Sequence, residues 1–331
     1  MTTQTLTLTT EWDKSFPLSE QVEHEKVTFH NRFGIELAAD LYRPKDGAGP
    51  FPALAVSGPF GAVKEQASGF YAQTMAERGF LTVAFDPSYT GESGGTPRRL
   101  ASPDINTDDF SAAVDSLSTR DDVDPEAIGI IGICGWGGIA LNAAALDPRI
   151  KATLASTSYV MTRVATKGYD DADDSAEQRM AARRALAAQR TADYAAGSYE
   201  RAGGVAEELP ADAPQFLVDY HAYYKTVRGF HERSGNSTDG WNITSNLSWM
   251  NTDLLRFADE IENAVMVLHG EKAHSRYMGE DAFALLTGEN KELVIVPDAS
   301  HVDLYDGGDA HAIPFDTIEQ FFTTHLGGQH A

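Results

Sequence analysis

From residue 21 onward the spacing of apolar positions changes several times, and each change marks an element. Residues 23–29 and 35–42 alternate apolar with polar side chains on either side of the turn-like Asn31-Arg32-Phe33-Gly34, the pattern of a hairpin with one buried face. Six later runs have a different texture. Residues 53–56, 81–85, 127–133, 152–157, 265–268 and 293–296 are short and mostly apolar, as strands covered on both faces are. Between them, residues 70–78, 107–118, 138–145, 280–286 and 314–325 read as helices. Strand and helix in alternation after an initial hairpin predict an α/β fold, a mainly parallel twisted sheet flanked by helices with an antiparallel hairpin at its start.

One stretch breaks this rhythm. Residues 160–257 contain no buried-strand pattern; an Ala- and charge-rich helical run at 175–195 is followed by a part rich in rings, with Phe216, Tyr220, Tyr223, Tyr224, Phe230, Trp241 and Trp249. The expected organisation is therefore a core of residues 21–159 and 258–331, an inserted helical cap at 160–257, and an N-terminal extension at 1–20. No internal repeat or low-complexity tract is visible.

Composition narrows the partners. The chain has 331 residues, enough for one large domain or two modest ones, and its 42% hydrophobic content is that of a globular protein. With 26 basic against 49 acidic residues the formal charge is −23, which repels nucleic acid and anionic membranes. Abundant aspartate and scarce lysine would suit a high-salt cytoplasm, but a surface of this kind is also an ordinary device for solubility. No apolar run is long enough to span a bilayer, and residues 1–10 are polar and lack the order of a secretory signal. Three Asn-x-Ser/Thr sequons, at Asn236, Asn242 and Asn246, then carry no glycosylation inference. The expectation is a soluble cytoplasmic protein. Its lone cysteine, Cys134, has no internal disulfide partner, in keeping with a reducing compartment.

That cysteine sits in the most informative segment of the chain. The strand Ile128-Gly129-Ile130-Ile131 runs through Gly132-Ile133-Cys134-Gly135-Trp136-Gly137-Gly138 into a helix opening at Ile139-Ala140-Leu141. A buried strand, a glycine-dense turn and a helix N-terminus are what a nucleophile elbow requires. The helix N-terminus also favours a thiolate. Two other readings compete. Gly135-Trp136-Gly137-Gly138-Ile139-Ala140 satisfies the dinucleotide pattern, but the next strand ends in Ala155-Ser156-Thr157-Ser158 without the acidic residue that pattern needs, and four strands precede it. Alternatively, Cys134 is a small buried hydrophobe, the usual state of a free cysteine.

The remaining parts of a hydrolytic site occur in order. The strand at 293–296 leads into Pro297-Asp298-Ala299-Ser300-His301-Val302-Asp303, which places His301 just beyond the sheet edge as a general-base candidate. Val56-Ser57-Gly58-Pro59-Phe60-Gly61 follows the strand expected beside the elbow, so the N–H groups of Phe60 and Gly135 are candidates for an oxyanion hole; a plain Gly-Pro turn is the alternative.

These residues resemble the α/β-hydrolase superfamily, and within it the dienelactone-hydrolase-like and peptidase-like proteins with a cysteine in the elbow. Phe85-Asp86-Pro87 followed by Gly91-Glu92-Ser93-Gly94, Phe60-Gly61 followed by Lys64-Glu65, and the Ser300-His301-Val302-Asp303 ending support it, and the resemblance spans residues 21–326. It implies hydrolysis or transfer of an acyl group from an ester, lactone or thioester. The chain departs from the pattern twice. Bulky Trp136 stands where a small residue belongs, so either Cys134 is the nucleophile of a variant elbow or the nucleophile has been lost. In His269-Gly270-Glu271-Lys272-Ala273, the usual acid position is Ala273; Glu271 is the nearest carboxylate to orient His301, and Asp303 is another candidate. The loops that carry His269, Glu271, His274, His301 and Asp303 invite a metal reading, but no spacing matches a recognised ligand set, and no Gly-x-x-x-x-Gly-Lys-Ser/Thr loop occurs. Neither metal nor cofactor is expected.

The sequence is thus read as a cysteine-dependent acyl hydrolase with Cys134, His301 and Glu271 in catalytic roles. Trp136, Tyr159, Tyr223 and Trp249 are expected to line a mainly apolar substrate pocket under the cap. The partners admitted are a small acyl substrate and a second copy of the chain, as a homodimer. An acyl transferase and a catalytically silent ligand binder on the same fold are the alternatives, and the path between Cys134 and His301 discriminates them.

Overall fold

The computed structural model describes residues 6–327; the first five residues of the expected N-terminal extension and the last four of the chain lie outside the described residues. Strands β1 (Val22–His30) and β2 (Glu36–Pro44) form the hairpin, paired antiparallel with Val27 opposite Ala39. The chain continues through β3 (Phe51–Ser57), α1 (Ala67–Ala76), β4 (Leu81–Phe85), α2 (Pro103–Ser118), β5 (Val123–Ile133), α3 (Gly135–Leu146) and β6 (Ala152–Ser156). Four helices follow without a named strand among them: α4 (Met161–Lys167), α5 (Ala176–Ala196), α6 (Gln215–Tyr224) and α7 (Asn246–Trp249). The sheet then resumes with β7 (Ala264–Gly270), α8 (Arg276–Leu285) and β8 (Lys291–Val296), and the chain ends in the short α9 (Asp303–Asp306) and α10 (Phe315–Leu326).

The eight strands lie in the order β1-β2-β4-β3-β5-β6-β7-β8, and from β3 to β8 all neighbours are parallel. Alternation along the strands divides the core into two layers. Leu54, Val56, Ile131, Leu154 and Met266 face the layer covered by α1 and α10, whereas Ala53, Ala55, Ile130, Val265 and Val267 face α2, α3 and α8. Burial on both faces explains why these strands are continuous apolar runs. β8 is the exception: as an edge strand it pairs only with β7, and Leu293 is exposed, although its composition resembles that of the central strands.

Helix α3 begins at Gly135, three residues earlier than its glycines suggest. Those glycines serve close approach: a Cβ on Gly137 would lie 2.7 Å from Ser158 Oγ, and one on Gly135 would lie 2.7 Å from the Phe60 Cβ. The long α5 is capped by Ser175, whose Oγ accepts from the Gln178 N–H, and stops at Gly197 with φ +66°. Among the described residues no helix is long and apolar enough to cross a membrane. The parallel register brings the carboxyl ends of β3, β5, β6, β7 and β8 to one edge, the place where open α/β sheets gather their sites.

Candidate active site

At that edge Cys134 links β5 to α3 with φ +57° and ψ −123°, a strained conformation for a side-chain-bearing residue. Gly132 permits it, because a Cβ there would fall 2.1 Å from the Trp136 carbonyl oxygen. The anomalous Trp136 is accommodated from across the sheet: its Cβ would come within 2.8 Å of a Cβ on Gly58, which has none and adopts φ +103°. The small residue expected inside the elbow is thus supplied by the neighbouring loop.

Cys134 is buried, and burial raises its thiol above the ordinary range; the Tyr305 hydroxyl, the N–H groups of Gly135 and Phe60 and the Tyr220 hydroxyl act in the opposite sense. The two residues whose amides were named from the sequence adjoin, since a Cβ on Gly135 would lie 2.7 Å from the Phe60 Cβ. The loop bearing Phe60 is held from both sides. Asn236 Nδ2 donates to the Phe60 carbonyl at 2.6 Å and the Asn236 N–H donates to that of Gly61 at 3.1 Å. From the other side, buried Lys64 donates to Glu65 at 2.6 Å, Asp86 at 2.9 Å and Glu92 at 2.6 Å. These three carboxylates bring oxygens within 4.8 Å of one another, but the Lys64 ammonium already supplies the positive charge a cation would bring.

His301 follows β8 in a buried turn. Thr157 Oγ1 lies 3.0 Å from Nδ1 and 3.3 Å from the His301 carbonyl oxygen, and Ser275 Oγ lies 2.7 Å from the same nitrogen. Nε2 meets the Tyr305 hydroxyl at 3.0 Å. Burial, with the neighbouring His274 and His269, pushes the His301 pKa well below its ordinary value. The imidazole is neutral at rest.

No carboxylate orients this histidine among the described residues. Glu271, expected in that role, is exposed and accepts from the Asp298 N–H at 3.0 Å, because the turn after β7 carries it outward. Asp303 accepts from the Ser300 N–H at 2.9 Å within its own turn and faces Arg228 at 3.5 Å. Of the expected pocket residues, Tyr159 lies beside His301, ring centroids 6.1 Å apart. Trp136 and Trp249 instead pack around Phe60 in the layer of α2 and α3, and Tyr223 packs behind Tyr224 and Tyr305. The rings that do surround His301 are Tyr159, Tyr220, His274 and Tyr305, and Phe216 stacks on His274 at 4.5 Å. Tyr305 was the residue most open to sequence reasoning, since it stands four positions after His301 at a helical turn. Ser275 and Thr157 gave no such signal, being common residue types on other loops.

Fold and edge geometry together define an α/β hydrolase. The chain matches the X-Pro dipeptidyl-peptidase (S15 family) over residues 34–303 and belongs to that family. It is 57% identical to the uncharacterized protein PA2218 of Pseudomonas aeruginosa over 98% of this chain and 87% of the relative, and the crystal structure of PA2218 superposes with a TM-score of 0.94, covering 98% and 100% of the two chains. YcjY of Escherichia coli, also uncharacterized, is 34% identical over 90% of this chain and 98% of its own. A thiohydrolase, aneE of Aspergillus aculeatus, is 32% identical over 53% of each chain, and the acyltransferase drtE of Aspergillus calidoustus is 36% identical over 41% of this chain and 43% of its own. The α/β hydrolase GrgF from Penicillium shares the fold, with a TM-score of 0.75 at 20% identity over 92% and 99% of the chains. At family level these relatives support acyl hydrolysis or acyl transfer.

Proposed function

We propose that this protein hydrolyses an ester, lactone or thioester through Cys134 and His301. The observation that carries the reading is a buried thiol held in a strained elbow, with Phe60 packed against Gly135, at the sheet edge that also holds a neutral imidazole. In this mechanism the thiol loses its proton as the sulfur attacks the acyl carbon, and the two amides stabilise the oxyanion that forms. The proton returns to the leaving group, and water then cleaves the acyl-enzyme thioester. The Tyr159 hydroxyl and both His274 nitrogens are polar atoms buried near His301 without a protein partner, suited to orienting substrate oxygens within a ring-lined wall.

The test is a panel of p-nitrophenyl esters, lactones and acyl thioesters given to the native protein and to its Cys134→Ala and Cys134→Ser forms. Turnover by the native chain, lost by a factor of about 10³ or more in the alanine form, supports the reading; equal turnover by both forms removes the cysteine mechanism. A second reading, acyl transfer, is favoured by the burial of His301, which restricts water at the base. An added alcohol or amine that captures the acyl group in preference to water would establish it. The absence of a carboxylate on His301 favours the silent binder instead, and failure of the whole panel would select it.

A further inference from the structure

Residues 59–62 form a turn: the Ala62 N–H donates to the Pro59 carbonyl at 3.0 Å, Gly61 adopts φ +76°, and Phe60 is buried. That bond shapes the turn from within but attaches it to nothing else. Among the described residues, every other hydrogen bond made by residues 59–62 comes from the segment after α6. Asn236 Nδ2 donates to the Phe60 carbonyl at 2.6 Å, the Asn236 N–H donates to the Gly61 carbonyl at 3.1 Å, and Ser234 Oγ donates to that same carbonyl at 3.0 Å. We propose that Asn236 is a positioning residue for acyl chemistry at Cys134, holding the turn so that the Phe60 N–H faces the oxyanion. The inference rests on the oxyanion role given to Phe60 above and adds the group that sets its direction.

The trans peptide between Pro59 and Phe60 sends its carbonyl and its N–H to opposite sides, so with the carbonyl turned to Ala62 the N–H is aimed out of the turn. It donates to no acceptor among the described residues, and neither does the N–H of Gly135. For Gly135 that is the ordinary state of the first residue of a helix. For a buried residue in a turn it is rare, and an unpaired donor placed against a helix N-terminus suits an oxygen that carries developing charge. The grip on this loop is wider than one contact. Gln66 Nε2 donates to the Gly229 carbonyl and Arg233 pairs with Glu65 at 2.9 Å, so residues 229–236 follow residues 60–66. Those bonds dock the segment; Asn236 alone among them reaches Phe60. Gly61 leaves it room, because a Cβ there would collide with the Asn236 side-chain amide. Asn236 also heads the first of the three Asn-x-Ser/Thr sequons, and its amide nitrogen, the atom a glycan would take, is spent inside the fold.

The test compares a reaction that forms an oxyanion with one that does not. A p-nitrophenyl ester acylates Cys134 through a tetrahedral oxyanion and releases p-nitrophenolate, whereas iodoacetamide alkylates the same sulfur by displacement of iodide. In Asn236→Ala, and in the isosteric Asn236→Asp, whose carboxylate oxygen replaces the donor, kcat for the ester should fall by roughly ten- to a hundred-fold. KM and the alkylation rate should each stay within about two-fold of the native values. Ser234→Ala frees only a carbonyl that the Asn236 N–H still holds, and should lower kcat by less than about three-fold. Loss of packing alone would change alkylation and KM as well, and the aspartate form keeps the side chain's shape against that outcome. If both Asn236 forms turn the ester over at the native rate, or if alkylation falls in step with acylation, Asn236 does not position the turn and the Cys134–His301 reading stands. If the native protein is acylated by no ester while iodoacetamide still labels Cys134, the Cys134–His301 reading fails and the positioning role falls with it.

Discussion

Ser275 precedes α8, where a serine side chain ordinarily caps the helix, yet its oxygen is turned to His301 Nδ1 at 2.7 Å. Thr157 is displaced from ordinary geometry too, with φ +42° for a β-branched residue. Both local departures serve one imidazole, which suggests that the hydroxyl pair does the orienting work commonly given to a carboxylate. Each hydrogen bond contributes about 1 kcal/mol, so Ser275→Ala and Thr157→Val should each lower kcat/KM by roughly two- to ten-fold. Glu271→Gln, remote from the imidazole, should change it by less than about two-fold, within the spread of neutral surface changes. The pH profile follows from the same site. Because burial holds His301 well below its ordinary pKa, protonation of this base should cause no fall in kcat/KM between pH 7.5 and 6; a fall centred near 6.5 would contradict the neutral imidazole.

The elements of the sheet were legible in the sequence because burial on two faces leaves a strong mark: 81–85 is read and observed with the same bounds, and β5 leads into the elbow where its glycines indicate. The placement of a residue at the sheet edge was legible only where it is written in its own neighbours, as for Cys134 after Gly132 or Phe60 after Gly58-Pro59. Glu271 is the nearest carboxylate along the chain, but a turn can send a side chain to either side, and here it faces solvent. Trp136 and Trp249 offer a pocket nothing but their rings, which fill a core equally well. The ionic cluster behind the Phe60 loop was equally hidden, since it joins β1, the β3–α1 loop, the β4–α2 loop and Arg233 of the inserted segment. Burial alone would raise the Glu92 carboxyl; Lys64 and Lys26 instead bring it down to about 2. Lys64→Met removes the cation shared by three carboxylates and leaves them crowded together. Denaturant unfolding at pH 7 should show a loss of about 3–5 kcal/mol, and a loss below about 1 kcal/mol would mean that Lys26 and Arg233 already neutralise the cluster.

For the whole molecule, two electrostatic effects compete as pH falls. The net charge of −23 implies self-repulsion that acid relieves, but ordinary carboxylates take up protons near pH 4, so little relief comes between pH 7 and 5. The buried histidines titrate in that very window when the chain unfolds. Burial lowers His269 to about 3, with help from His274 and Arg276, and lowers His274 to about 4; His301 is lowered too. A folded-state pKa below the unfolded one means that the unfolded chain binds more protons, so the stability present above pH 6.5 is lost progressively as pH falls toward the folded values. His269 and His274 should each remove about 2 kcal/mol between pH 7 and 5, and His301 acts in the same direction. Asp109 works the other way: burial raises it to about 6, so the folded state gains a proton first and returns about 1 kcal/mol over the same interval. The histidines outweigh it, and the protein should be clearly less stable at pH 5 than at pH 7 despite its acidic surface. Replacing His274 by Phe, which preserves a ring against Phe216, should shrink that difference by about 2 kcal/mol in urea unfolding, a value slightly affected by salt because the group is largely shielded from solvent. An unchanged pH 7-to-5 difference in the variant would show that His274 is not the group whose protonation the folded state resists.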